Sequence, residues 1–500
     1  MPDWSFYGRA EPLAQLTRVI DADRWFFCRI EGRRRIGKTT LLGQLARLNE
    51  DLGSKLLYMQ VPDSDERDVA ATFRRSLGES ERLEARNLAA SVSDFASMAD
   101  AIGHLCTAGL VVVIDEFQYF TRAKLHAFNS FLQATVDKLR NAQLKQGGLF
   151  VLGSLQSDMS ALLDDRAAPL FGRITAQLKL DHWDFADLMS LYRSQGLERP
   201  SDWLTLWTFF EGVPKFYHDA FEQRIFELSA ADFARELLAR MFVHSSSPLS
   251  EEAETWFLRE LRGRAISILN YLAQHSGCNH ADLVSALNDP QERTPLGTQI
   301  SRLVNDYRMV DKLLPVFANE KSRNARYYIA DNFLKAWLAV AKPAREAARL
   351  KPLEKALAPA MRHLETLEGY AFEKWIKELH LEMSRKGKGD FELSDLKLGY
   401  WNRPRDVSKN IEIDLVALDE ANKKIRFGSC KRSASSHDLH SLSKFDQQVE
   451  AFLMVNEHRR LRDWRCERAV FSPVFDTAQR TELTAKGYLC RDLCDYARLV

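Results

Sequence analysis

Gly32-Arg33-Arg34-Arg35-Ile36-Gly37-Lys38-Thr39 decides the fold of the first part of the chain. The octapeptide fits G-x-x-x-x-G-K-[ST]. Its glycines let the backbone curl so that successive N–H groups point inward at phosphate oxygens. Lys38 supplies a point charge for β- and γ-phosphates, and Thr39, followed by Thr40, supplies a hydroxyl for Mg²⁺. WFFCRI, Trp25 to Ile30, precedes the loop and reads as a short buried strand. The stretch from Thr39 to Leu48 follows and reads as a helix, which aims the positive end of its dipole at the same phosphates. A strand before and a helix after are the context that the motif requires.

Working outward, LVVVIDEFQ (Leu110 to Gln118) is uniformly apolar up to Asp115, as in a parallel strand covered on both faces. Asp115 then stands at a strand's carboxyl end, where α/β sheets carry ligand chemistry. There it would hold Mg²⁺ through water, and Glu116 would polarise an attacking water. The plainer alternative is that the two carboxylates end a strand and cap a helix. KLLYMQV (55–61), LFVLGS (149–154) and AQLKL (176–180) read as further strands. Strands alternating with helical patterns predict an open α/β sheet with crossover helices. Ser154 ends one strand and is either a γ-phosphate sensor or an ordinary strand-to-loop serine. Arg173, in APLFGR, is either a reader of γ-phosphate charge, in cis or across a subunit contact, or a surface arginine.

At roughly 150 residues per domain, 500 residues predict about three domains. The formal net charge of +1 gives no bulk signal for a nucleic-acid partner, so any such binding must come from local patches. The seven cysteines contain no CxxC pair and read as free thiols in a reducing cytoplasm. Cys490 and Cys494 lie four apart, but no further ligand stands at zinc-site spacing. The first residues show no signal-peptide pattern, and the longest apolar run is far short of the roughly 20 residues needed to cross a bilayer. The expectation is a cytoplasmic protein with no membrane partner.

FYGRAEPLAQL, GRRRIGKTTLL, VVVIDEFQ, LGS, PLFGR and GVPKFY occur in this order. Together they resemble the archaeal-type ATPases of the STAND branch of AAA-like P-loop proteins. The resemblance implies ATP and Mg²⁺ as ligands. It implies that Phe6, Gly8 and Arg9 lie near the adenine, and that Gly212 and Pro214 approach the nucleotide from a helical lid. It further implies a multidomain α/β chain: a P-loop ATPase core over 1–183, a helical lid over 184–250, a winged helix over 251–341, a helical connector over 342–367 and a nuclease-like domain over 368–500.

Residues 264–272, 279–287 and 297–306 read as three short amphipathic helices, followed by a strand–turn–strand pattern in LLPVFANEKSRNARYYI. Such a winged helix either presents Arg302, Arg308, Lys321, Arg323 and Arg326 to DNA phosphates or serves as a packing arm. In the last part, Glu373 falls on a predicted helix, Asp414 on the strand EIDLVAL and Lys431 on the next strand, KIRFGSCKR. A helix carboxylate, a strand aspartate and a strand lysine can converge on one metal. The pattern looks like the PD-(D/E)xK nuclease fold that this ATPase family carries. There the second strand usually reads Glu-Cys-Lys; here it reads Ser429-Cys430-Lys431, and a serine cannot replace the carboxylate's charge. Glu412, two residues before Asp414, is expected on the same side, and Gln447 is a further polar candidate.

Three functions stay open at this point. One is an ATP-dependent switch with a DNA-associated output that lacks catalysis. Another is an ATP-regulated, Mg²⁺-dependent endonuclease of double-stranded DNA. The third is a switch whose nuclease-like fold docks a protein. A homo-oligomer or a regulatory protein is the expected further partner.

Overall fold

The computed structural model describes residues 4–154, 156–259, 261, 263–287, 295–318, 322, 324–397, 399–402 and 410–500. The chain divides into two compact units. One runs from Ser5 to Trp183 with Val213–Lys215; the other takes Asp184–Gly212 and Phe216–Val500.

The first unit is built on five strands: β1 (Phe26–Gly32), β2 (Leu56–Gln60), β3 (Val111–Asp115), β4 (Gly148–Gly153) and β5 (Ala176–Leu180). Their order is β2-β3-β4-β1-β5, and every pairing is parallel. Alternate residues of each strand feed opposite apolar layers. Phe27, Val112, Ile114, Leu149 and Val151 pack into one layer, with Phe73, Phe95, Phe128 and Leu132 from helices. Phe26, Cys28, Val111, Val113, Phe150 and Leu152 pack into the other, with Leu16, Leu41 and Leu45. Burial on both faces is why the central strands β1, β3 and β4 are largely apolar, whereas the edge strands β2 and β5 alternate.

The second unit begins with helices rich in large aromatics. The rings of Trp207 and Trp375 stack at 4.9 Å, and both side chains are fully buried. Helices Arg264–Gln274, His280–Leu287 and Leu296–Asn305 follow. A three-stranded antiparallel sheet comes with them, formed by β6 (Cys278–Asn279), β7 (Val310–Leu313) and β8 (Arg326–Ile329) in the order β6-β8-β7. Lys321 and Arg323 lie outside the described residues. A single helix, Leu353–Arg385, then runs without a break through the domain boundary expected at 367/368. The connector's part from Leu353 on and the following helix are one element because Leu357, Leu364, Ala371, Trp375 and Leu379 continue one buried stripe across that point.

The last strands are β9 (Asp395–Lys397), β10 (Tyr400–Trp401), β11 (Glu412–Ile413), β12 (Leu415–Asp419), β13 (Lys424–Cys430), β14 (Arg465–Phe471) and β15 (Leu489–Arg491). Five of them form a sheet in the order β15-β14-β13-β12-β9. β12 pairs antiparallel with β13 and β9, whereas β13, β14 and β15 run parallel. β10 and β11 form a separate ribbon. The seven cysteines form no disulfide. Among the described residues no helix is long and apolar enough to cross a membrane.

Arg426, only 1% exposed, ties the last sheet together. It donates to Glu467 at 3.0 and 2.8 Å and to Asp390 at 3.0 Å. Burial alone would raise the Asp390 carboxyl, but hydrogen bonds and charge from Arg426 and Arg491 hold it well below the usual range. Replacing Arg426 by Ala leaves two carboxylates short of a cation. The expected loss is about 3 kcal/mol in the urea transition of the second unit at neutral pH. The contribution of Asp390 is present above its unfolded pKa, near 4, and is lost as the pH falls through its lowered native value. In the Arg426→Ala protein this acid-side loss of stability should shrink.

Candidate functional site

Gly32 closes β1 beside β5. A Cβ there would lie 2.5 Å from the Leu180 carbonyl oxygen, so glycine permits this approach. Beyond it, Arg35 (φ 68) and Gly37 (φ 89) turn the chain through left-handed backbone, and Gly37 precedes the helix Lys38–Leu48. Turns of this kind make anion-binding concavities. The buried Arg9 clamps the loop, donating to Ile36 O at 3.1 Å and to Asp181 O at 2.8 Å. Arg33 Nη1 lies 3.3 Å from His182 Nε2. Lys38 Nζ donates to Gly32 O at 2.9 Å, Arg33 O at 3.3 Å and Ser154 Oγ at 3.1 Å. Burial pushes the Lys38 ammonium down to about 8, against the pull of Asp115 and Glu116.

The hydroxyl of Thr39 donates to Asp115 Oδ2 at 2.8 Å. Tyr58 Oη, on neighbouring β2, donates to the same oxygen at 2.8 Å. Burial first, and the Asp115 charge second, hold the Tyr58 phenol above its usual range. The other Asp115 oxygen accepts from the Glu116 backbone N–H at 2.8 Å. Glu116 itself adopts left-handed backbone (φ 56), with Arg34 3.7 Å from its carboxylate. Gln118 donates to Glu116, and its carbonyl accepts from the Ser154 N–H at 3.3 Å. Lys38, Thr39, Asp115, Glu116 and Ser154 therefore meet in one place.

Tyr58 and Gln118 were not anticipated from sequence. A usable signal existed for each: Tyr58 is the only hydroxyl on β2, and Gln118 stands two residues after Glu116. Arg173 is held by the helix Phe128–Asn141, donating from two nitrogens to Asp137 at 2.8 Å each and to Phe171 O at 3.0 Å. Phe6 packs half-buried against the layer of Leu16, Phe26 and Ile36. Gly8 has left-handed backbone (φ 64). Pro214 opens the helix Pro214–Glu222.

A second cluster lies within the second unit. Asp414 Oδ2 accepts from the Cys430 N–H at 2.8 Å and faces Lys431 Nζ at 3.8 Å. Glu373 and Lys377, one turn apart on the long helix, interact electrostatically with Asp414. Burial raises both carboxyls above their usual range, and the Asp414 charge adds to the rise at Glu373. The same burial lowers Lys377. Glu373, Asp414 and Lys431 are thus brought together. Lys377 is an addition that i,i+4 spacing from Glu373 could have signalled.

Glu412 is placed differently along the backbone than expected, although its charge still acts on Asp414. Strand alternation does not carry from Glu412 to Asp414, because β11 ends at Ile413 and pairs with β10, whereas β12 starts at Leu415 in a different sheet. Glu412 instead accepts from Arg326 Nη1 at 2.6 Å. That contact also takes Arg326 away from the expected phosphate-contacting set. Ser429 is buried and alternates to the face opposite Cys430. Gln447 makes a 3.4 Å contact to Ser443 on its own helix.

Residues 27–188 match the model of an AAA domain. Residues 337–442 match a family described as archaea bacterial proteins of unknown function. An uncharacterized protein of Methanocaldococcus jannaschii is 25% identical over 431 residues, covering 85% of this chain and 87% of its own. Among solved structures, a Walker-type ATPase of Pyrococcus abyssi aligns with 15% identity and a TM-score of 0.48, over 67% of this chain and 96% of its own. The ORC2 protein of Aeropyrum pernix, solved as ADPNP–ADP complexes, aligns with 15% identity and a TM-score of 0.44, over 72% and 93%. Residues 27–188 are an AAA-type P-loop domain.

A phosphate brought to Lys38 restores its charge, so nucleotide binding above about pH 8 must take up a proton. Calorimetric titration with ATP at pH 8.5, in two buffers of different ionisation enthalpy, should show uptake of most of one proton. The uptake should fall toward zero at pH 6.5. Enthalpies independent of buffer at pH 8.5 would remove the lowered Lys38.

Proposed function

We propose that the chain is an ATP-hydrolysing molecular switch whose output lies in its C-terminal part. The AAA match over residues 27–188 supports the reading. The observation that carries it is the meeting of the Thr39 hydroxyl and the Asp115 carboxylate at 2.8 Å, with Lys38 3.1 Å from Ser154. Two hard oxygen donors beside a lysine and a glycine loop suit Mg²⁺ and a triphosphate. Thr39 and Asp115 would hold the ion, which when bound neutralises phosphate charge. Lys38 turns from the loop carbonyls to the phosphate oxygens. Glu116 orients a water and accepts its proton, Gln118 fixes the rotamer of Glu116, and Ser154 connects that pair to Lys38. The backbone of Gly32 to Thr40 cradles the phosphates.

In the second unit we read the three helices and the β7–β8 hairpin as a winged helix, and the β12–β13 hairpin with its long helix as a PD-(D/E)xK-like fold. The antiparallel β12–β13 pair, continued in parallel by β14 and β15, supports the second assignment. Hairpin contacts to the ribbon of β10 and β11 favour a packing role for the wing over DNA readout. Double-stranded DNA is the proposed partner of the output domain. A second reading, Mg²⁺-dependent cleavage, is favoured by the convergence of Glu373, Asp414 and Lys431. The absence of a carboxylate at Ser429 stands against it.

Lys38→Ala should abolish ATP binding. Glu116→Gln should retain it while lowering turnover by at least about 100-fold, measured as phosphate release. Hydrolysis at the normal rate in both variants would end the proposal. For the output, a gel shift of duplex DNA at low salt supports DNA association. Cleavage with Mg²⁺ or Mn²⁺ that disappears in Lys431→Ala would establish the second reading, and its absence in the native protein would leave the non-catalytic one.

A further inference from the structure

We infer that Tyr58 is a positioning residue of the nucleotide site: its hydroxyl holds the Asp115 carboxylate in the orientation that receives the divalent ion. The inference rests on the reading of that site as an ATPase. Thr39 Oγ and Tyr58 Oη each donate to Asp115 Oδ2 at 2.8 Å, and the Glu116 N–H donates to Oδ1 at 2.8 Å. A carboxylate offers about four lone pairs, two on each oxygen. The two hydroxyls therefore fill Oδ2, and the lone pair left over is on Oδ1. That division sets which oxygen is left for the ion or for one of its waters. Without the phenol, Oδ2 keeps only Thr39, and the carboxylate turns more freely about its last side-chain bond, a broad two-fold torsion.

The register of the sheet explains how a residue of β2 comes to do this. β2 runs parallel to β3, with Tyr58 opposite Val113 and Gln60 opposite Asp115. Side chains alternate along each strand, so Tyr58, Val113 and Asp115 share one face of the sheet. Leu41, Leu42 and Leu45 of the helix Lys38–Leu48 pack on that face with Val113. The phenol reaches along it from the level of Val113 to the strand end, where the helix begins and Thr39 stands. A serine in its place would end beside Val113. The Tyr58 side chain is 37% exposed, so its ring gains little from core burial. What distinguishes tyrosine from phenylalanine here is the bond to Asp115. Hydrogen-bond donors behind a metal ligand fix its orientation, and their loss typically weakens metal binding about tenfold or more.

The test compares the full-length chain with Tyr58→Phe, Asp115→Asn and the double variant. Mn²⁺ affinity of the ATP-saturated proteins is read by water-proton relaxation, and ATP affinity in EDTA by calorimetry. Tyr58→Phe should weaken Mn²⁺ about tenfold and leave metal-free ATP affinity unchanged, which also shows that the variant is folded. In the Asp115→Asn background the same substitution should add little, because it acts through that carboxylate. Equal Mn²⁺ affinity in Tyr58→Phe and the native chain overturns the role. So does an equal loss of metal-free ATP affinity, or an undiminished effect beside Asp115→Asn. A native chain that takes up no Mn²⁺ with ATP overturns the ATPase reading itself and the role with it, so the two failures are told apart.

Discussion

One hydrogen bond, from Thr39 to Asp115, is the constraint on which the nucleotide-site account depends. The two residues are 76 positions apart, and they meet because β1 and β3 run parallel and end at the same edge of the sheet. β4 lies between those strands, and this explains Ser154 as well. The residue that follows the intervening strand must emerge between the loop lysine and the strand-end acids. There Ser154 accepts from Lys38 and donates its N–H to Gln118. A different strand order would separate these groups however well each motif read on its own. Tyr58 belongs to the same logic, since β2 flanks β3 on its other side and brings a second hydroxyl to Asp115.

The loop, the acidic strand end and all five strands of the first sheet were legible in the sequence, because local rules govern them. Glycine spacing, uniform apolar runs and a helix start are encoded within a few residues. The partners of those residues were not legible. Nothing local says that Gln118 bridges Glu116 and Ser154, or that Arg173 is occupied by Asp137. Those pairings depend on how helices pack over the sheet.

The C-terminal cluster illustrates the same division. Glu373, Asp414 and Lys431 were recognisable by residue type and order along the chain. The strand through Glu412 was read as continuous, but the chain leaves one sheet at Ile413 and enters another at Leu415, although the Glu412 charge still reaches Asp414. Period-two reasoning holds only within one uninterrupted strand. The boundary expected at 367/368 falls inside the helix Leu353–Arg385 for a related reason. A charged, Ala-rich stretch reads as a helical connector separate from the helix after it, yet its buried stripe continues into Trp375 and Leu379 as one helix. That continuity places Lys335, Glu373 and the β7–β8 hairpin around one cavity, an arrangement invisible to a domain-by-domain reading.

The pairing of Thr39 with Asp115 claims that both side chains serve one divalent ion beside a bound triphosphate. Titrating Mn²⁺ into the ATP-saturated protein, with bound ion followed by electron paramagnetic resonance, addresses that claim most directly. The account predicts one protein-bound Mn²⁺ per ATP in the native chain, with affinity at least about tenfold weaker in Asp115→Asn. Equal affinity in the two proteins would contradict it.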